Sequence, residues 1–380
     1  MREDILTTEL QKVSSESQRR ELYSMDWLDD KDKIIEGAFA ECYLKMHPMI
    51  CIHGILFTID GIVSDESGIK NDIYSMVRPY VTSGLARKVE QLLQTIKLEA
   101  YSEPLPLQTD RIHVANGTLF LNGEFSEQKD FCLNRLPVIY DPDVEKPARW
   151  LKFMEELLNP DDILTLQEYM GYMLLPTTKA QKMMLIIGKG GEGKSRIGLV
   201  LRELFGNNMY SCSLQKIEVD KFARANLEYM LITVDDDMKL EALPQTNHIK
   251  SIVTLEDQID LERKGQQSFQ GVVYARLIAF GNGGLHALYD KTDGFYRRQL
   301  ILTTKDKVDG REDDPYLIDK LRKERDGIFL WALEGLQRLV SNNYVFTESV
   351  DAKQNLVDAQ EEGNNILAFM KSEGYLQFEI

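Results

Sequence analysis

The stretch Gly188-Lys189-Gly190-Gly191-Glu192-Gly193-Lys194-Ser195 constrains this chain more than any other, because it satisfies the pattern GxxxxGK[ST] without a mismatch. The pattern has narrow physical demands. Glycines at these spacings let backbone N–H groups turn inward around an anion, where a side chain would clash. Lys194 is positioned to reach phosphate oxygens, and the Ser195 hydroxyl to hold a divalent cation. A glycine-rich turn alone carries little weight, since ordinary turns use the same residues. Here the apolar run 182–188 (KMMLIIG) precedes the loop as a strand, and 195–205 follows it as a helix that stops at Gly206. That helix aims its positive N-terminal end at the loop. Strand, loop and helix in this order predict a nucleotide-phosphate site in an α/β core.

Such a site needs carboxylates as well. Residues 230–234 (MLITV) read as a buried strand that runs into Asp235-Asp236-Asp237. Acidic groups at the carboxyl end of a core strand lie beside the phosphate loop in a parallel sheet. One would hold the metal through water and another would orient the attacking water; spacing leaves open which two of the three act. A third strand, 272–280 (VVYARLIAF), ends in Gly281-Asn282-Gly283. Asn-Gly by itself is a turn signal, but after the two earlier motifs the Asn282 amide becomes a candidate sensor of the terminal phosphate.

The flanking sequence divides by composition and periodicity. Residues 49–63 (MICIHGILFTIDGIV) read as a hairpin of strands, 75–98 as a helix, and 112–125 as short strands around two Asn-Gly turns. The chain breaks at Pro104 and Pro106. Helices are expected over 148–158 and 161–175, with Asn159-Pro160 ending the first and Asp161 capping the second. Residues 314–340 and 350–375 are helical and polar on one face, and the first 25 or so carry apolar residues at helical spacing (Leu10, Val13, Leu22, Met25). The expected organisation is an α+β domain over 1–140, a helical collar over 141–180, an α/β core with a parallel sheet over 181–308, and a helical tail over 309–380.

Composition excludes several function classes. With 61 acidic against 45 basic residues the formal charge is -16, which opposes general coating of nucleic acid. Four scattered cysteines without a CxxC pair give no support to a zinc site or a disulfide framework. No apolar run approaches the ~20 residues that span a bilayer, and MREDILTTELQK lacks the apolar stretch of a signal peptide, so a cytoplasmic protein is expected. The five histidines show no ligand spacing and read as structural.

The order GKGGEGKS, LITVDDD, RLIAFGN resembles superfamily 3 helicases of the AAA+ class, the type found in phage and plasmid primase–helicase proteins. Asp260-Leu261-Glu262-Arg263-Lys264-Gly265 resembles the hairpin that carries a basic residue into that family's ring pore, which implies Arg263 and Lys264 as DNA contacts. Asp293-Gly294-Phe295-Tyr296-Arg297-Arg298-Gln299-Leu300 is similar to the segment that supplies an arginine to the neighbouring subunit, here Arg298 or else Arg297. Asn116-Gly117-Thr118-Leu119, Asn134-Arg135-Leu136-Pro137 with Tyr140-Asp141-Pro142, and Gly171-Tyr172-Met173-Leu174 are similar to the domain before the helicase core in the same proteins. Two features depart from the family: three aspartates where Asp-Glu or Glu-Glu is usual, and Gly281 where the phage branch more often has Thr. The resemblance implies ATP and Mg²⁺ at a subunit interface, a homo-oligomeric ring of six, single-stranded DNA or a replication origin as partner, and service to a mobile element. Residues 250–307 carry nine basic and seven acidic side chains, a local excess in an acidic chain. A loading or assembly factor that hydrolyses ATP without unwinding is the competing class; it needs no DNA-gripping Lys264. A nucleotide kinase would need an acceptor pocket and a lid, for which the sequence gives no support.

Overall fold

The computed structural model describes residues 26–238, 243, 245–254, 258–265, 267–283, 293–307 and 314–362. The chain forms two compact units, Met1–Leu105 and Pro106–Ile380. The expected helix over the first 25 residues, His286, and the tail beyond 362 lie outside the described residues.

In the first unit, helix α1 (Glu36–Met46) leads into an antiparallel meander of β1 (Met49–Ile52), β2 (Ile55–Thr58) and β3 (Gly61–Ile62). The segment read as one helix over 75–98 is two, α2 (Ser67–Val77) and α3 (Leu85–Glu99). Pro79 lies in a short 3-10 turn, and Gly84 takes a left-handed φ of 69°, a conformation costly for residues with a Cβ. The two helices and α1 bury Phe39, Tyr43, Ile73, Leu92 and Ile96 in one core with Trp27.

The second unit opens with β4 (Arg111–Val114), β5 (Gly117–Phe120) and β6 (Phe125–Ser126), then helices α4 (Ala148–Leu157) and α5 (Pro160–Tyr172). Asn159 holds the N-cap position of α5 and Pro160 its first turn, so Asp161 is inside the helix rather than its cap. The remaining elements in order are β7 (Met183–Ile187), α6 (Lys194–Phe205), β8 (Met209–Ser211), α7 (Leu214–Val219), α8 (Lys221–Ala225), β9 (Ile232–Met238), α9 (Asn247–Thr254), β10 (Ile259–Leu261), β11 (Phe269–Gly271), β12 (Arg276–Gly281), α10 (Asp293–Tyr296), β13 (Gln299–Thr303), α11 (Leu317–Lys323), α12 (Arg325–Ser341) and α13 (Val350–Glu362).

Five of these strands form a parallel sheet in the order β13-β7-β12-β9-β8. Successive residues divide between its two faces, as a strand period of two requires. Met184, Ile186, Ile278 and Phe280 join one apolar cluster, whereas Met183, Leu185, Leu277 and Ala279 join the other. Both faces are covered, which is why these strands read as continuous apolar runs. The first cluster also takes in Ile112, Val114 and Leu119 of β4 and β5 with Trp150 and Phe153 of α4. A boundary at 140 would cut that core, and the compact unit begins at Pro106 instead.

The upstream motifs are internal ties of this unit. Asn134 donates to the Tyr229 carbonyl at 2.7 Å and accepts from the Tyr274 hydroxyl at 2.7 Å. Arg135 donates to the carbonyls of Val114 and Gly117, and the Asn116 amide exchanges a reciprocal pair of bonds with the Tyr140 backbone. Gly171 and Gly335 let α5 and α12 cross at backbone contact; a Cβ on Gly335 would lie 2.2 Å from the Gln167 carbonyl oxygen. Gly335→Ala should therefore destabilise the unit. A helix gains about 1 kcal/mol from Ala over Gly, but overpacking against rigid backbone costs about 1–3 kcal/mol. The expected outcome is a lower melting temperature by calorimetry; a rise would show that the helices part without cost.

Candidate functional site

Gly188 follows β7, and Gly190, Gly191 and Gly193 have φ of 107°, 84° and 113°, values that glycine alone adopts readily. These three residues wind the chain back so that Lys194 begins α6 directly against the loop. Lys194 is buried at 8% exposure, and its Nζ lies 2.8 Å from Glu192 Oε2. Glu192, 3% exposed, also accepts the Gly190 N–H through Oε1 at 2.7 Å. Burial pushes the Glu192 carboxyl up, but Lys194 and the backbone N–H groups outweigh it and hold the group below its ordinary value. Lys189, by contrast, pairs with Asp306 on the open surface, where an ion pair contributes little. From below, Phe153 of α4 packs against Gly193.

The loop forms one wall of a cavity of about 380 Å³, lined also by Ser195, Asp236, Asp237, Asn282, Asp314 and Leu317. Asn282 follows β12, which runs between β7 and β9, so its side chain stands beside the loop: its Oδ1 is 3.9 Å from where a Cβ on Gly190 would sit. The aspartates belong to β9 itself rather than following it. The pairing of β9 with β12 skips a residue here, with Ala279 opposite Asp235 and Gly281 opposite Met238. Such a bulge re-aims side chains, and it brings the consecutive Asp236 and Asp237 both to the cavity. Asp236 faces α6, its Oδ1 3.3 Å from a Cβ placed on Gly198.

Asp235 is not brought to this group. It is buried, its Oδ2 accepts the Leu214 N–H at 2.9 Å, and it anchors the start of α7. Burial raises its pKa above the ordinary value, partly offset by that N–H. Gly281 is explained by its neighbour, since a Cβ there would lie 2.9 Å from Met238 Cε. The Met238 side chain fills the space where a Thr at 281 would have to fit.

Strands β10 and β11 pair antiparallel and make the expected hairpin. Its two basic residues separate. Lys264 is exposed at the tip beside Gly265, whose φ is 76°. Arg263 turns inward, paired with the 1%-exposed side chain of Glu228 and stacked over the Phe269 ring at 4.8 Å. Arg276 is buried likewise, donating to the Tyr172 hydroxyl at 2.6 Å and to the Thr177 carbonyl. Two of the nine basic residues in 250–307 thus serve packing within the chain. The half-buried Arg298 donates through Nη1 to the Gly294 carbonyl, whereas Arg297 is exposed in the same turn. His113 is structural: burial first, then Arg135 and Arg111, push it down to about 4, and it sits between Thr118 and Gln108.

Two lining or bordering residues carried no signal in the sequence. Asp314 reaches the cavity from just before α11, where it also accepts the Tyr316 N–H and pairs with Lys320 at 2.7 Å. Thr304, 6% exposed and just after β13, has its Oγ1 2.1 Å from a Cβ placed on Gly188. The donors present fit a polyphosphate: inward N–H groups, an ammonium and a helix N-terminus. Ser195 with Asp236 or Asp237 fits Mg²⁺, which is bound through one or two carboxylates and completes its shell with phosphate and water. Among the described residues no cluster of three or more His, Cys, Asp or Glu side chains forms a metal cage.

A family model described as a family of unknown function, DUF5906, matches residues 186–298. The match runs from β7 to Arg298 and contains the loop, the aspartates, the hairpin and Asn282. Among solved structures the chain is similar to an apo structure of the NrS-1 C-terminal region, at a TM-score of 0.58 and 12% identity, covering 88% of this chain and 76% of that one. It is similar also to the A-form apo structure of that region, at a TM-score of 0.55 and 11% identity, covering 84% and 74%. At these identities the likeness is one of fold: a mixed α/β unit built on a parallel five-stranded sheet. No helix among the described residues is long and apolar enough to cross a membrane.

Arg263→Ala should weaken folding, because it leaves Glu228 buried without its guanidinium. A broken buried pair costs about 3–5 kcal/mol, less here since Arg263 is partly exposed. Adding Glu228→Gln should recover part of that loss in denaturant unfolding. Unchanged stability with lost DNA affinity would instead make Arg263 a DNA contact.

Proposed function

We propose that this chain is an ATP-hydrolysing motor of the superfamily 3, AAA+ helicase type, which translocates on single-stranded DNA in the replication of a phage or other mobile element. The observation that carries this reading is the convergence on one cavity of Lys194, Ser195, Asp236 and Asn282, drawn from the ends of three adjacent parallel strands. A turn with no ligand would need no such convergence.

The roles follow from the chemistry of each group. Lys194 and the loop N–H groups neutralise and orient the β- and γ-phosphates. Ser195 and Asp236 would hold Mg²⁺, which would draw charge from the phosphate oxygens. Asp237, which also lines the cavity, would orient the attacking water, and Asn282 would report on the terminal phosphate. Arg297 is the better-placed of the two arginines to reach ATP on a second copy, because Arg298 is engaged within its own turn. In a ring of six, hydrolysis would alter that contact across each interface and move the hairpin tip at Lys264 along the strand. The similarity to the NrS-1 C-terminal region supports the fold this reading requires.

Lys194→Ala should abolish ATP turnover with the fold intact. Asp236→Asn should keep nucleotide binding and lose hydrolysis by about 10²-fold or more, while Asp235→Asn should retain turnover in any protein that folds. Normal turnover in folded Lys194→Ala would overturn the phosphate assignment.

Lys264→Ala should leave basal ATPase unchanged, remove stimulation by single-stranded DNA, and lower the salt slope of DNA binding by about one contact. ATPase activity that DNA never stimulates, in parent or variant, would favour the loading-factor class. The trans role is tested by mixing Lys194→Ala with Arg297→Ala. Neither has a complete interface, and mixed rings should regain activity; co-assembly without recovery would contradict it.

A further inference from the structure

The Lys194–Glu192 pair is buried, at 8% and 3% exposure, in a loop whose turn is made by three glycines of positive φ. The Glu192 carboxylate holds two donors of the cradle at once, the Gly190 N–H at 2.7 Å and Lys194 Nζ at 2.8 Å. The pair is seated over Gly188: a Cβ there would lie 2.9 Å from Lys194 Nζ and 3.1 Å from Glu192 Oε1. Thr304 Oγ1 lies 2.1 Å from the same Cβ position, so the three polar groups crowd around Gly188. The Gly190 N–H and Lys194 Nζ are the donors that a phosphate would take, and a carboxylate is the protein's own anion of matching geometry.

We propose that Glu192 is a built-in competitor for the phosphate site, an internal anion that a nucleotide must displace before Lys194 can bind it. The proposal rests on the reading of this cavity as a nucleotide site. A buried ammonium without a counterion is strongly disfavoured, so Glu192 stabilises the nucleotide-free loop. The same contact is lost when the polyphosphate enters, and it subtracts from the affinity. A triphosphate with Mg²⁺ prevails because it brings more negative charge and fills more of the N–H donors than one carboxylate does. The binding-competent loop is then only a fraction of the free population, and apparent affinity falls by that fraction. Because every phosphate chain meets the same competitor, ATP and ADP should be affected alike.

The test compares the full chain with Glu192→Gln and Glu192→Ala, using calorimetric titration with MgATP and MgADP and thermal melting with and without nucleotide. Gln keeps the size and removes the charge; Ala removes both. Each variant should bind both nucleotides about tenfold tighter or more, since a hydrogen bond between charged groups is lost from the free state only. Each should also melt lower than the parent without nucleotide, and show a larger upward shift when nucleotide is added. Equal or weaker binding by folded Glu192→Gln, with the parent binding normally, would overturn the competitor and leave the nucleotide site standing. If the parent itself binds neither nucleotide, the nucleotide reading fails and the competitor with it. Should Glu192→Ala not fold, Glu192→Gln decides alone.

Discussion

A parallel sheet covered on both faces can meet a charged ligand only at the ends of its strands. That restriction organises the second unit. Alternate residues of β7 and β12 are committed to one apolar cluster or the other, and the one charged side chain along them, Arg276 at the start of β12, is spent on Tyr172 and Thr177. The polar chemistry gathers where the strands stop: the loop after β7, the aspartates at the end of β9, Asn282 after β12 and Thr304 after β13. The strand order then decides who meets whom. Because β12 lies between β7 and β9, the amide of Asn282 stands between the glycine loop and the carboxylates. The helix α6, whose N-terminus opens on the same edge, adds its dipole to the site.

Much of this was legible in the residues. An octapeptide with three left-handed glycines has few other uses, and the apolar runs before it and before the aspartates gave the strands of the sheet. What the sequence could not supply was register. Three consecutive aspartates offer three equivalent readings until the bulge against β12 assigns Asp235 to the far side and brings Asp236 and Asp237 to the cavity. The basic residues were ambiguous for a similar reason. Arg263 and Lys264 are neighbours, yet a buried partner, Glu228, lies within reach of only one of them. Arg297 and Arg298 divide in the same way, by which guanidinium finds a carbonyl in its own turn. For the first pair the partner is distant in sequence and leaves no local pattern, whereas for the second it is a carbonyl four residues away.

The upstream motifs show a different limit. Asn116, Asn134 and Gly171 recur in the resemblance to primase–helicase proteins, and each is bound to backbone or packed on it within this unit. They join the β4–β6 strands and the helical collar to the sheet, which explains why the compact unit starts at Pro106 rather than at 141. Composition and Pro-rich breaks marked the collar as separate, but the apolar cluster runs through it without interruption. The same constraint explains Asp314: only the packing of the segment before α11 brings it to the cavity, far along the chain from the loop.

The central claim is that the backbone N–H groups of residues 188–195 bind the phosphates of a nucleotide. Hydrogen exchange resolved to single amides, with and without saturating MgATP, tests it most directly. Bound nucleotide should slow exchange across 188–195 together with the start of α6, with smaller changes at 236–237 and 282. Saturable ATP binding that leaves 188–195 unchanged, with protection confined elsewhere in the chain, would contradict it.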